Sequence, residues 1–347
     1  MLAPAAQAAG PDTAWTGSIV EEDDFWAPNN KDRHYTHGIR FSATTGDLRD
    51  PAWQAPFAWI ARLTPAFTSD VDGTNAAGEQ TVERYNLIPL GQNMYTPENP
   101  ALVNPDPRDR PYAGWLYGGV GLVQDIPGRR SDGDGFAGTD RFEELALKLG
   151  IVGPGSLANT TQTHYHLLID VAPFRGWHAQ LHNEPAVDLY YERKWRLYRE
   201  TAGGWGWDAI PQAGLRVGNV HDYLSAGGMV RLGRNLRVDY GPPHIDQNLG
   251  ADYLNDGRIT AGDFGFYLFT GVEARAVARN IFLDGNSFKS SASVEKIPAV
   301  GDLEAGAALF WRHYRLSYTW VYRTPEFIHQ DGPDHYGSLS LSVRLPF

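Results

Sequence analysis

The 347-residue chain contains no cysteine. That excludes a disulfide framework, a thiolate metal site and a cysteine nucleophile. No apolar run approaches the roughly 18 residues that a membrane-spanning helix needs. A transmembrane β-barrel escapes this test, because its strands alternate lipid-facing and lumen-facing residues and average polar. Positive charge is also scarce: 30 Lys and Arg against 41 Asp and Glu leave a formal net charge of −11. Such a chain does not hold nucleic acid by counterion release. A G-x-S-x-G elbow, a Walker loop, an H-E-x-x-H pair and a dinucleotide fingerprint are all missing, so the chemistries they carry are unsupported. What remains is 42% hydrophobic, which excludes intrinsic disorder, and the 38 glycines and 12% aromatics favour a turn-rich β protein.

Period-two alternation is the recurring signal. Leu339, Leu341, Val343, Leu345 and Phe347 share one face, and Ser338, Ser340, Ser342 and Arg344 share the other. Before them, Tyr314, Leu316, Tyr318, Trp320 and Tyr322 oppose Arg315, Ser317, Thr319, Val321 and Arg323. Leu145, Leu147, Leu149 and Ile151 likewise oppose Glu144, Ala146, Lys148 and Gly150. Aromatics at strand ends on the apolar face, with charges on the other, fit an all-β outer-membrane barrel. A soluble β-sandwich is the structural alternative.

Candidate strands number about twelve, the even count of bacterial barrels. They fall near 14–24, 34–45, 80–96, 110–125, 139–153, 187–199, 206–217, 219–233, 264–280, 297–311, 313–324 and 336–347. Segments 46–79 and 234–263 are long for periplasmic turns, and 156–171 is expected to form a short helix in an extracellular loop. Residues 1–10, with Ala6-Gln7-Ala8, resemble the tail of an export signal or an expression leader. Residues 11–347 then form a single barrel domain.

Four groups could carry chemistry. Glu21-Glu22-Asp23-Asp24 offers hard oxygen donors suited to Ca²⁺ or Mg²⁺, or is a solvated acidic loop. Thr36, in Asp32-Arg33-His34-Tyr35-Thr36-His37-Gly38, orients a water or an ester carbonyl, or simply favours a strand. Arg108 and Arg110 are forked donors for phosphate, or partners of Asp106 and Asp109. On the expected helix Gln162, His166 and Asp170 share one face. His166 is the candidate general base there, with Asp170 or Gln162 to orient it; His164, His178 and His182 lie in the same loop.

In this order the landmarks resemble one family, the outer-membrane lipid A 3′-O-deacylases. They are Glu21-Glu22-Asp23, Asp32 to Gly38, Arg110-Pro111-Tyr112-Ala113-Gly114-Trp115, Gly153-Pro154, His166 and Gly176-Trp177-x-x-Gln180-Leu181-x-x-Glu184-Pro185. The resemblance implies a twelve-stranded barrel with its active site at the extracellular end, between the wall and a loop helix. It also implies Ca²⁺-dependent hydrolysis of an ester-linked acyl chain of lipid A. It places the acid at Asp23, the hydroxyl at Thr36 and the catalytic histidine at His166, with Glu22 and Asp23 holding the metal. The family usually has Asn in place of Glu22, and often Asn in place of His37. A carboxylate at 22 can still coordinate a cation but cannot donate a hydrogen bond as an amide does. The expected partner is lipid A of the outer leaflet of a Gram-negative outer membrane. A phospholipase, or a channel or scaffold without catalysis, is the alternative, and the chain is expected to act as a monomer.

Overall fold

The computed structural model describes residues 13–345 apart from 29–32, 49, 65–66, 68–80, 128–139, 201–204, 246–248 and 255–263. The leader-like residues 1–10, Asp32 and Phe347 lie outside the described residues. Twelve antiparallel strands close into one barrel. They are β1 Trp15–Asp23, β2 His34–Thr44, β3 Val82–Thr96, β4 Ala113–Ile126, β5 Asp140–Val152 and β6 Glu184–Glu200. The circuit continues with β7 Trp205–Gly218, β8 His221–Arg234, β9 Phe264–Asn280, β10 Ala299–Trp311, β11 Tyr314–Arg323 and β12 Asp334–Leu345. Each strand pairs with its neighbours in sequence, and β1 pairs with β12 to close the circuit. No edge is therefore left open, as a lipid environment requires.

The barrel is apolar outside and charged inside, in the sense expected from the alternation. On β11, Tyr314 and Leu316 are exposed while Arg315, Ser317 and Arg323 are buried. On β5, Leu149 faces out and Glu144 and Lys148 face in. Trp205, Trp207, Phe264, Trp311 and Tyr314 stand exposed at the rim that bears the chain termini, where an aromatic girdle belongs. This is the arrangement of an outer-membrane barrel; a soluble sandwich would bury the other face.

Charges facing a lumen need partners, because an unpaired buried charge is strongly destabilising. In segment 234–263, expected as a long turn, the described residues 236–245 and 249–254 supply them by lying inside the barrel. Leu236, Val238, Leu249 and Leu254 pack against Met229, Tyr267, Phe269 and Phe310. Asp239 accepts from Arg231 at 2.5 Å and from Arg315 at 2.7 Å, and Asp252 accepts from Arg40 at 2.6 Å. The segment is a plug.

Among the described residues two helices longer than one turn lie outside the strands. Helix α1, Pro51–Leu63, starts behind the N-cap Asp50 with proline in its first turn. It occupies part of the 46–79 segment, where the sequence pattern had not indicated an element. Helix α2, Ala158–Leu168, falls within the expected 156–171.

Candidate functional site

The acidic run is divided by the pleat of β1. Thr16, Ser18 and Glu22 turn inward, where they bond the plug at Leu254, Asp252 and Ile245. Alternation then puts Glu21 and Asp23 on the outer face. Cross-strand from Asp23 stands His37 of β2. One ligand atom each from Glu21, Asp23 and His37 falls within 4.8 Å of the others.

Glu22 does not join them, which corrects the pairing of Glu22 with Asp23 as metal ligands. Its carboxylate is wholly buried, accepts from the Tyr35 hydroxyl and the Ile245 amide, both at 2.8 Å, and lies 3.5 Å from His244. Gly38 makes room for this crossing: a Cβ there would lie 2.3 Å from the Tyr35 hydroxyl. Consecutive strand residues point to opposite faces, so two neighbours cannot bring their side chains to one ion. Asp24 caps the following loop, accepting from the Arg33 amide at 2.7 Å.

The wall and α2 are joined by the other landmarks. The Leu181 amide donates to the Tyr112 carbonyl, the Gly153 amide to the Gly114 carbonyl, and Gln92 Nε2 to the Ser156 carbonyl at 2.6 Å. A Cβ on Gly114 would sit 2.1 Å from Ser156 Oγ and 2.3 Å from Ala158 Cβ. Glycine at 114 is thus what lets the loop lie against β4. The Trp177 ring packs 5.0 Å from Tyr112, and its indole N–H donates to Gln162 Oε1 at 2.7 Å.

His166 is buried against Phe174, with ring centroids 4.9 Å apart at 85°. Its Nδ1 lies 3.1 Å from the Ala172 carbonyl. A proton on Nδ1 donated to that carbonyl makes Nε2 the basic nitrogen. The orienting group is thus a backbone carbonyl rather than either expected partner. Gln162 is taken by Trp177, and Asp170 lies exposed beyond the helix end with φ 59°. The helix reaches the acidic cluster through Tyr165, whose ring lies 5.9 Å from that of His37. Burial, and then the charges of Asp23 and Glu21, push the Tyr165 hydroxyl above its ordinary value. Sequence reasoning missed Tyr165. It also missed Glu21 and His37 as a cluster, although the i, i+2 spacing of Glu21 and Asp23 was the available signal.

Thr36 is buried and donates to the Met94 carbonyl at 3.3 Å. The two arginines differ. Arg108 is exposed and forks onto Asp106, at 2.8 and 3.2 Å. Arg110 is wholly buried, pairs with Glu326 at 3.2 Å and lies over the Tyr95 ring. It shapes the rim from within and presents no guanidinium to the surface. Beside it Arg33 pairs with Glu98 and Asp334, and His34 Nδ1 lies 2.8 Å from Asp334. The contacts to Asp334 bridge some 300 residues and leave no local trace in the sequence.

The donor set Glu21, Asp23 and His37 fits a divalent cation: two carboxylates suit Ca²⁺, and the imidazole adds a ligand favoured by transition ions.

The family described as outer membrane protein LpxR matches residues 1–345. Among solved structures, LpxR from Salmonella typhimurium is 17% identical with a TM-score of 0.70, over 94% of this chain and 99% of that one. At that identity the likeness concerns the fold. The beta domain of the Bordetella autotransporter BrkA is 12% identical over 97% of this chain and 100% of that one, but its TM-score of 0.43 supports no argument. Comparison with curated proteins finds no match. With the family matched over nearly its whole length, the chain belongs to the LpxR outer membrane proteins.

Proposed function

We propose that the protein is a lipid A deacylase, hydrolysing an ester-linked acyl or acyloxyacyl chain with His166 as general base. The observation that carries this reading is the face of the wall on which the groups stand. Glu21, Asp23 and His37 lie on the outer face beside Tyr165 of α2, open to a lipid coming from the side, while Glu22 behind them is bonded to the plug at Ile245. A channel has no use for that arrangement.

In this reading His166 Nε2 takes a proton from water as its oxygen attacks the ester carbonyl. The tetrahedral species collapses with cleavage of the acyl C–O bond, and the proton passes to the leaving alkoxide. Asp23 and Glu21 would hold Ca²⁺, joined by His37 where this chain departs from the family. Bound there, the ion supplies positive charge to the carbonyl oxygen as it becomes an oxyanion. Thr36, in the β-bulge between Tyr35 and His37 where strict alternation is broken, would position the ester. Arg108 is the rim group suited to a lipid A phosphate, exchanging Asp106 for it.

The test is mass spectrometry of lipid A from outer membranes carrying the protein, beside membranes carrying His166→Ala. Loss of one ester-linked acyl unit with the unaltered chain alone is expected. Unchanged lipid A together with cleaved phospholipid would transfer the same site to a phospholipase.

A further inference from the structure

The outer wall is not apolar everywhere. Near the rim that bears the termini, Arg84, Asp125 and Glu144 point into the lumen: Arg84 lies over the plug's Tyr253, Asp125 accepts from Tyr240 and Tyr253, and Glu144 accepts from Asn86. Their strand neighbours Glu83, Gln124 and Glu143 therefore face outward. Lipid would not tolerate this patch uncovered. All three residues are nevertheless buried. Gln54, Phe57 and Ala58 of α1, with Phe67 after it, cover Glu83 and Gln124 across a cavity of about 350 Å³. The Phe67 amide donates to Glu143 at 2.6 Å, and Arg141 and Arg193 lie 2.9 and 2.8 Å from the same carboxylate. Helix α1 is a lid laid flat on the outside of the barrel.

What α1 turns away from the wall is also apolar. In the helix, PAWQAPFAWIARL, only Gln54 and Arg62 are polar. Trp53, Trp59 and Leu63 are 61%, 59% and 61% exposed. A helix apolar on every side does not stand in water. Between Trp53 and the wall runs a groove of about 610 Å³, lined by Trp15, Leu48, Tyr85, Leu87 and Val120. The groove opens onto the lipid-facing belt: Trp15, Leu87 and Val120 belong to the same outward rows as the barrel's apolar exterior. Tyr85 fixes the helix over it by donating to the Trp53 carbonyl at 2.8 Å.

We propose that α1 is an in-plane membrane anchor whose Trp59 and Leu63 sit in the leaflet at the termini-bearing rim. The Trp53 groove holds one acyl chain of a glycerophospholipid of that leaflet. Continuity with the lipid-facing belt and the Trp-Leu-Arg composition select a phospholipid as occupant. The proposal is independent of the hydrolytic site at the opposite rim.

The absence of native cysteine makes the test clean. Full-length Trp59→Cys and Leu63→Cys, with Leu102→Cys in an exposed loop of the opposite rim as control, carry a nitrobenzoxadiazole label. Each is reconstituted in phosphatidylethanolamine–phosphatidylglycerol vesicles with and without nitroxide-labelled phospholipid. Labels at 59 and 63 are expected to emit at shorter wavelength and to be quenched several-fold more than the label at 102. Equal quenching at all three positions, in barrels that keep heat-modifiable mobility, overturns the anchor. So does concentration-dependent protection of residue 59 without quenching, which assigns the face to a second copy. For the groove, native mass spectrometry of the extracted protein should show a retained phospholipid that the groove-filling Val120→Trp loses. Equal retention overturns the acyl-chain assignment.

Discussion

The two helices lie against the same wall at opposite rims and bury opposite things. Helix α2 turns Gln162 and His166 toward the barrel and exposes Leu167 and Leu168. Helix α1 buries Phe57 and, Gln54 apart, turns apolar residues to the wall beneath it. Burying an imidazole and an amide costs free energy unless each is bonded, and α2 meets that demand with the Ala172 carbonyl and the Trp177 indole. Burying a phenyl ring has no such demand. The contrast shows how to tell a helix kept for chemistry from one kept as a cover: the first holds bonded polar groups against the wall, the second apolar ones.

Mutations can break this contrast in order of size. His166→Ala should lower hydrolysis by the ~10²–10⁴-fold that a general base contributes, while the barrel keeps its heat-modifiable fold. Retained turnover in lipid A extracts would remove His166 as base. On the other helix, Phe57→Ala should loosen α1 by the ~3–5 kcal/mol typical of a truncated core phenylalanine. Hydrogen exchange over 51–63 should rise, with lipid A hydrolysis unchanged; a matching loss of activity would merge the two regions into one functional unit.

Asp23→Asn tests the metal. A loss of ~10²–10³-fold is expected if charge on the oxyanion is lost with the ion, and chelation followed by calcium should be reversible. Calorimetry sharpens the point, since His37→Asn should weaken zinc more than calcium. Equal weakening would take His37 out of the ligand set. The smallest effect concerns the exposed pair at Arg108. The Arg108 guanidinium, by hydrogen bonds and charge, holds the Asp106 carboxyl down at about 2. A depressed carboxyl stabilises the loop above its ordinary range and loses that contribution as pH falls through about 2. Arg108→Ala should return Asp106 to the usual carboxylate range by NMR titration without moving the melting temperature, because such exposed pairs add little.

Much of the barrel was legible because its signal is local. Leu316 out and Arg315 in is a statement about adjacent residues, and it survives without knowledge of any partner. Strand ends shifted by a few residues: β6 begins at Glu184 rather than 187, and β4 at Ala113 rather than 110. The site was legible in its landmarks and less so in its geometry. Gly114 and Trp177 hold the loop to the wall, and His166 lies on α2, inside the stretch expected to be helical. Glu22 was misassigned because a run of four carboxylates looks like one cluster until the pleat deals them to two faces.

By itself the sequence determined an inside-out β-barrel of an even strand number, because period-two alternation needs only neighbouring residues to be visible. It also determined where the charged lumen lies and which loop carries a histidine-bearing helix. Only the tertiary structure decided which carboxylates share a face and that 236–245 and 249–254 lie in the lumen. Only there does the His34–Asp334 contact across 300 residues appear, and α1 as the cover over an outward polar patch. Those outcomes depend on ring closure and on ion pairs between distant strands, whose partners are chosen by register and burial rather than by spacing along the chain.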